Sequence, residues 1–243
     1  MAENTYYTLL TSLPHIDSLF GSNITPISRI QLDRRLSMLS PEDREILVKI
    51  EYLVHWDHFG DDIKEDYLIN MNDRLITQLD SSDLKELVNW RLDINTIIAA
   101  LRRKVRGQQA PSNAKWSYGS RYAYIRRNWS NPNLGLSHAF PWIPVAVECL
   151  NKKDYLALEK TIMEAVWHKL NQLNARHLFD FEDVVIYLLR WNLVASWTTY
   201  NGDEALIRFN DLNQLALGEF AIQFSGTPNH IISNKINHVD SAS

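Results

Sequence analysis

Apolar residues recur in this chain at the spacing of an α-helix, and this spacing constrains the fold more than any other feature. The clearest stretch follows Ser40, with Pro41 next and Asp43 three residues on. Ser40 suits the N-cap, Pro41 suits the first helical position, and Asp43 completes the pattern of a capping box. One apolar stripe at helical spacing then follows: Ile46, Leu47, Ile50, Leu53 and Val54. The pattern predicts an amphipathic helix that begins near residue 41.

Other stretches predict further helices. The second begins near Ser82 and ends in a run of cations before Gly107, which suits a left-handed C-cap. The third runs from about Asp154 to Asn174, and Asp180 starts the fourth. A last helix is predicted from Asp203 to about Ala216. Alternation with a period of two residues is scarce, so we expect an all-α fold with little or no sheet.

The predicted helices fall into two halves that we expect to pack together. The N-terminal helical half covers 1–107, and a basic and aromatic connecting segment covers 108–143. The C-terminal helical half covers 144–224, and 225–243 reads as a flexible polar tail. Connections as long as 108–143 are usually functional or mobile in a compact domain. The connecting segment is therefore the first place to look for a binding site.

The connecting segment lies in a window without acidic residues. From Ile94 to Val147 there are eight basic residues and neither Asp nor Glu. The chain has 25 basic and 29 acidic residues, so the remainder has 17 basic against 29 acidic, or −12 against +8 in the window. A polarised charge distribution steers binding to an oppositely charged surface. Aromatic residues are interleaved with these charges: Trp116, Tyr118, Tyr122, Tyr124, Trp129 and Trp142.

We predict that this window carries a partner-binding surface. Its candidate contact residues are Arg102, Arg103, Lys104, Arg106, Arg121, Arg126 and Arg127. Three partners fit: nucleic acid, whose phosphates bind cations and whose bases stack on aromatic rings; anionic lipid head groups; and an acidic protein surface, since Arg, Trp and Tyr are enriched in interface hot spots. The plain alternative is a solvated segment whose arginines pair with the chain's own acids.

Composition narrows the class of protein. Apolar residues make up 45% and charged residues 22%, as in globular proteins. The single cysteine, Cys149, excludes an internal disulfide framework and favours a reducing compartment, and its apolar neighbours predict a buried thiol. We also expect Trp142, Trp167 and Trp191 to lie in the core. Without a signal-peptide pattern or an apolar run of about 20 residues, the chain is expected to be cytoplasmic.

Catalytic patterns are weak. The best candidate is a set of potential metal ligands, Glu51, His55, His58 and Asp61, that would share one face of a helix. Gly60 is expected to end that helix before Asp61, and histidines near a helix C-terminus are favoured by the dipole without any metal. The sequence has no phosphate loop, dinucleotide fingerprint or nucleophile elbow. We therefore predict a non-enzymatic protein without a cofactor. A metal enzyme or hydrolase remains the least favoured alternative.

Several short motifs follow one another along the chain. Those of the first half are Tyr6-Tyr7, Ser12-Leu13-Pro14, Pro26-Ile27-Ser28 and Leu39-Ser40-Pro41-Glu42-Asp43. Those of the second half are Asn128-Trp129, Asn131-Pro132, Phe140-Pro141-Trp142, Asp154-Tyr155-Leu156-Ala157-Leu158-Glu159, Trp167, Phe181-Glu182-Asp183, Tyr187-Leu188-Leu189-Arg190, Trp197 and Gly202. In this order, from Tyr6 to about Leu212, the chain resembles an uncharacterised bacterial family encoded within operons for vacuolar-type (V/A-type) rotary ATPases.

The resemblance implies a role but no catalytic residues, because the family has none assigned. Such operons often lack a recognisable C subunit, the all-helical adaptor that seats the rotor shaft on the membrane ring. The implied role is an accessory or central-stalk component, similar to the C subunit, that links the soluble and membrane sectors at the cytoplasmic face of the inner membrane. Its partners would be ATPase subunits of the rotor stalk or membrane ring. The alternative is a helical nucleic-acid-binding or protein-interaction adaptor, although the pI of about 6.1 disfavours nucleic acid.

Overall fold

A computed structural model describes residues 6–21, 24–54, 65–112, 116–117 and 119–199, with the backbone alone over 65–71. All of these residues belong to one unit of the chain, 1–199. The helix predicted from Asp203 to Ala216 and the tail at 225–243 lie outside the described residues. The same holds for the potential metal ligands His55, His58 and Asp61.

The described part of the chain is helical and contains no strand, which confirms the all-α prediction. Its helices are α1 (Tyr7–Ser12), α2 (Arg29–Leu36), α3 (Pro41–Val54), α4 (Glu65–Gln78), α5 (Ser82–Val105), α6 (Tyr122–Arg127), α7 (Ile143–Lys152), α8 (Tyr155–Asn174) and α9 (181–199). None of the helices in these ranges is long and apolar enough to cross a membrane.

Local capping signals place the helix ends as predicted. The Asp43 N–H donates to Ser40 Oγ at 3.1 Å in front of α3, and the Ala157 N–H donates to Asp154 Oδ1 at 2.9 Å in front of α8. After α5, Gly107 has φ +71°, the left-handed conformation expected of a C-cap glycine. Polar caps satisfy amides that have no partner inside the helix.

One capping prediction is wrong in detail. We expected the Asp43 side chain to close a direct capping box on the Ser40 backbone. Instead the Ser40 N–H donates to Tyr6 Oη at 3.3 Å, and Tyr6 Oη donates to the Asp43 carboxylate. The buried tyrosine is thus inserted between cap and carboxylate, so the start of α3 is joined to the N-terminal segment.

Five helices were not predicted: α1, α2, α4, α6 and α7, four of which have ten residues or fewer. Of these, α2 has a complete capping box, in which Ser28 Oγ accepts from the Gln31 N–H and the Gln31 side chain accepts from the Ser28 N–H. Helix α6 lies inside the connecting segment, whose residues 119–143 form a succession of turns and this helix rather than one long loop. Caps and pairings of this kind define short helices that lack an apolar stripe.

The described parts of the two helical halves share one core. Helix α5 contacts α3 on one side and α6 and α7 on the other, while α7 packs on α8. Buried side chains from residue 6 to residue 197 form a single cluster, including Ile50, Ile97 and Leu170. Each fully buried aliphatic side chain contributes about 1.5–3 kcal/mol relative to exposure. Hydrophobic packing, with α5 at the centre, therefore joins the halves.

The predicted core aromatic residues divide two to one. Trp142 and Trp191 are buried, as is Cys149, which confirms those predictions. Trp167 is only half-buried, and the guanidinium of Arg190 lies 4.5 Å from its ring centroid. The prediction for Trp167 is confirmed only in part, because the ring packs on the core with one part and on a cation with another.

Candidate docking surface

The seven predicted contact residues do not form one uniform surface. Lys104 and Arg121 make contacts inside the protein, described below, and Arg126 is half-buried with an interaction of its own. The other four are exposed, and none of them forms an ion pair with a carboxylate of the described residues. We call these four the arginine surface: Arg102, Arg103, Arg106 and Arg127.

Arg121 belongs to a buried polar junction between α5 and the connecting segment, which we call the Asp93 junction. Asp93 is buried on α5 and accepts a hydrogen bond from Ser120 Oγ at 2.8 Å and one from the Arg121 backbone N–H at 3.0 Å. The Arg121 Nε lies 3.3 Å from Asp93 Oδ2, an electrostatic contact without the alignment of a hydrogen bond. Burial raises the pKa of Asp93, and the bonds from Ser120 and Arg121 offset part of that rise.

One turn further along α5, Thr96 extends the junction. Its Oγ1 lies 2.8 Å from Ser117 Oγ and accepts from the Gly119 N–H at 3.1 Å. A Cβ on Gly119 would collide with Thr96 Oγ1 and lie 2.8 Å from Asp93 Oδ1, so the close approach requires glycine. Ser117 and residues 119–121 are thereby fixed to α5. The overlooked signal was an Asp and a Thr three positions apart on an apolar helix face.

Lys104 joins the end of α5 to the turn that follows α6. Its Nζ donates to the Trp129 carbonyl at 2.8 Å and to the Asn131 carbonyl. Partial burial lowers the pKa of Lys104. Because Lys104 lies between the arginines of α5, while Trp129 comes two residues after Arg127, this contact brings the two parts of the arginine surface to the same end of the protein.

The arginine surface also includes apolar area. Val105 is 42% exposed and Tyr124 is 39% exposed. Tyr124 Oη donates to the Gly135 carbonyl at 3.2 Å, and Gly135 has φ +69°, so the ring is held by a defined turn. Arginine and tyrosine are enriched in protein interfaces, where a rigid aromatic ring adds contact area at a low loss of conformational entropy.

A groove of about 770 Å³ lies between α5, the start of α7 and α8. Its aromatic wall contains Phe140, whose ring centroid lies 6.4 Å from that of Trp90 and 6.0 Å from that of Trp142. The guanidinium of Arg121 lies 5.4 Å from the Phe140 centroid. Two opposite charges on the wall, Glu86 and Lys169, pair at 2.7 Å. Arg121 thus connects the groove with the Asp93 junction.

Potential metal ligands meet at one place in the described residues, where His177, Asp180 and Glu182 approach one another. Nδ1 of His177 lies 2.8 Å from Asp180 Oδ2, and Nε2 lies 3.0 Å from Asp83 Oδ2. Burial alone would lower the pKa of His177. The hydrogen bonds to Asp180 and Asp83 raise the pKa by more than burial lowers it, so the net shift is upward. Because both ring nitrogens are engaged by carboxylates, the geometry is that of a doubly paired imidazolium rather than a metal ligand.

The metal site predicted around Glu51 is described only in part. The Glu51 carboxylate accepts two hydrogen bonds from the Arg29 guanidinium, one of them 2.9 Å long, and a third from Asn192 Nδ2 at 3.0 Å. These bonds occupy the carboxylate in a structural pair that joins α2, α3 and α9. Whether His55, His58 and Asp61 bind a metal stays a prediction.

Comparisons with family models, with curated proteins and with solved structures give no match for this chain. The geometry of the site itself distinguishes two sets of cations. In that geometry, one set of cations holds the connecting segment to α5, and a second set faces solvent at the joined ends of α5 and α6.

Proposed function

We propose that this chain is a non-catalytic docking component that binds an acidic protein surface through the arginine surface. Following the motif resemblance, we further propose that the partner belongs to the rotor stalk or membrane ring of a V/A-type ATPase, with this chain as an adaptor similar to the C subunit. The observation that carries the proposal is the grouping of Arg102, Arg103, Arg106 and Arg127, exposed and without ion pairs to acids of the described residues. No acidic residue between 94 and 147 is available to pair with them locally.

The fold gives little reason for such a concentration of charge. Lys104 and Arg121 already hold the connecting segment through carbonyl and carboxylate contacts. Cations at the end of α5 gain only a few tenths of a kcal/mol each, up to about 1 kcal/mol, from the helix dipole. Grouped like charges repel one another, whereas opposite an acidic partner they accelerate association and fix its orientation.

The aromatic residues favour a protein partner over nucleic acid. Trp116 Nε1 donates to the Tyr122 carbonyl at 2.9 Å, and Trp116 and Trp129 pack against the core. Rings held in this way present little free face for stacking on bases, which is the usual source of affinity for single strands. A gel shift that weakens with salt and disappears in Arg126→Ala/Arg127→Ala would instead favour nucleic acid.

The test is co-purification of the tagged full-length chain with V/A-type ATPase subunits at low and at raised salt. Neutralising the arginine surface with Arg102→Gln, Arg103→Gln, Arg106→Gln and Arg127→Gln should abolish recovery of the subunits. The matched control is Arg34→Gln/Arg44→Gln, which removes two exposed arginines of α2 and α3 and should leave recovery unchanged. Equal recovery with both variants would contradict the proposed docking surface, and recovery of nucleic acid alone would contradict the proposed partner class.

A further inference from the structure

His177 connects three parts of the fold in a region that we call the histidine corner, residues 176–183. Its ring pairs with Asp83 in the first turn of α5 and with Asp180, whose Oδ1 accepts from the Asp183 N–H at 2.9 Å in front of α9. The neighbouring Arg176 lies 3.5 Å from the other oxygen of Asp83. The corner is therefore tied to α5 by charged side chains, and the histidine is the central one.

The backbone of the histidine corner is strained at Phe179. This residue has φ +60°, a left-handed conformation that is unfavourable for a side chain with a Cβ. Two hydrogen bonds hold it, from the Phe179 N–H to Asp183 Oδ2 at 3.1 Å and from the Tyr6 N–H to the Phe179 carbonyl at 2.6 Å. The rings of Tyr7 and Phe179 also lie 4.6 Å apart. The strained residue is thus one of the attachment points of α1.

We propose that His177 is a proton-operated latch that holds the histidine corner on α5 and keeps α1 docked on Phe179. A protonated imidazole donates from both nitrogens, which is what two carboxylate acceptors require. A neutral imidazole has one donor and one lone pair, so loss of the proton turns one of the two contacts into a repulsion. The Asp83 and Asp180 contacts then no longer act together, and the strain at Phe179 favours opening.

The charges that face His177 favour its protonated form. Acidic groups come from α5 with Asp83 and from the start of α9 with Asp180, Glu182 and Asp183, whereas the neighbouring cation Arg176 pairs with Asp83 at 3.5 Å and Arg190 interacts with Asp183. Because the folded-state pKa of His177 is raised, its stabilising effect is complete below the ordinary value near 6.5. That effect is lost as the pH rises through the folded-state pKa.

The wild-type protein allows the first test, a nuclear magnetic resonance titration combined with hydrogen exchange. The His177 ring should titrate above the ordinary histidine value, and the exchange protection factor of the Tyr6 amide should fall with the same midpoint. This measurement needs no variant to fold. A His177 pKa at or below the ordinary value, or a Tyr6 protection factor that does not change through the titration, would overturn the proposal.

The second test compares the melting temperature of three proteins between pH 6 and pH 9. The wild type should lose roughly 2–4 °C, the shift expected of a domain of this size for loss of one charged contact. His177→Gln should melt lower at pH 6 and lack this step. His168→Gln is the matched control, since His168 is exposed on α8 and its ring bonds to Gln172 within the same helix, and it should retain the step. A full step in His177→Gln would refute the latch.

Discussion

Arg121 of the Asp93 junction and the four residues of the arginine surface lie in the same acid-free window, and their positive charges are used differently. At the junction, Arg121 faces a buried carboxylate that also accepts from Ser120. At the arginine surface, the four side chains are exposed and form no ion pair with the described acids. The difference teaches that the charge of a segment does not identify its binding residues. A cation that contacts a carboxylate or carbonyl of the folded chain is structural. A cation without such a contact remains free to bind another protein.

The largest effect is expected at the buried member of the junction. Asp93→Ala removes the acceptor of Ser120 Oγ and of the Arg121 backbone N–H, and should lower the free energy of unfolding by about 3 kcal/mol. Urea unfolding measures this directly. The matched control is Asp73→Ala, an exposed carboxylate on α4, with an expected change within about 0.5 kcal/mol. Equal stabilities of the two variants would show that the Asp93 junction does not stabilise the fold.

A second effect tests the close approach of the connecting segment to α5. In Gly119→Ala, the added Cβ would collide with Thr96 and approach Asp93, so we expect a loss of about 2 kcal/mol from overpacking. Gly107→Ala is the control for backbone conformation alone, because a Cβ there meets no atom within 4 Å while φ is +71°; it should cost roughly 1 kcal/mol. If Gly119→Ala proved the milder of the two, the close packing of Gly119 on Thr96 and Asp93 would be wrong.

These two predictions concern contacts that the sequence pattern could not supply. Ser40 and Gly107 were predicted correctly because a cap depends on residues three or four positions away. Asp93 meets Ser120 across 27 positions, and only the folded chain brings them together. The pattern contained a hint, since a carboxylate on an apolar helix face requires a partner.

The predicted docking residues show the same limit. Composition correctly marked an acid-free stretch, yet it treated Lys104 and Arg127 as equivalent. Their difference depends on the turn after α6, where the Trp129 and Asn131 carbonyls accept from Lys104. A helix as short as α6 lacks the long apolar stripe that predicts helices from sequence, and α6 is stabilised by its packing against α5. Sequence therefore located the candidate site but could not sort its residues.

A third, smaller effect separates Lys104 from its neighbours. Lys104→Met keeps much of the apolar stem and removes two hydrogen bonds to carbonyls, so we expect a loss of about 1 kcal/mol in the free energy of unfolding. Arg103→Met, one position away and exposed, should change it by less than about 0.5 kcal/mol. Thermal and urea unfolding of both variants provide the measurement. A loss in Arg103→Met as large as that in Lys104→Met would show that the arginine surface also supports the fold.

The smallest effect on stability per substituted residue is expected for the arginine surface itself. Replacing Arg102, Arg103, Arg106 and Arg127 by Gln should lower the free energy of unfolding by about 1 kcal/mol in total, through the lost interaction with the helix dipole. Circular dichroism should remain that of a helical protein, in keeping with the fold of the described residues. A collapse of helical structure in this variant would show that these arginines support the fold, as Lys104 and Arg121 do.

We propose that the arginine surface binds the partner protein. The affinity of the purified chain for a purified V/A-type ATPase, measured across a range of salt concentrations, tests this directly. If the arginine surface binds an acidic partner, wild-type binding should weaken steadily as salt is added. The four-glutamine variant should bind at least about tenfold more weakly at low salt. The Arg34→Gln/Arg44→Gln control should bind like the wild type. Binding of the four-glutamine variant that equals the wild type at every salt concentration would contradict the account.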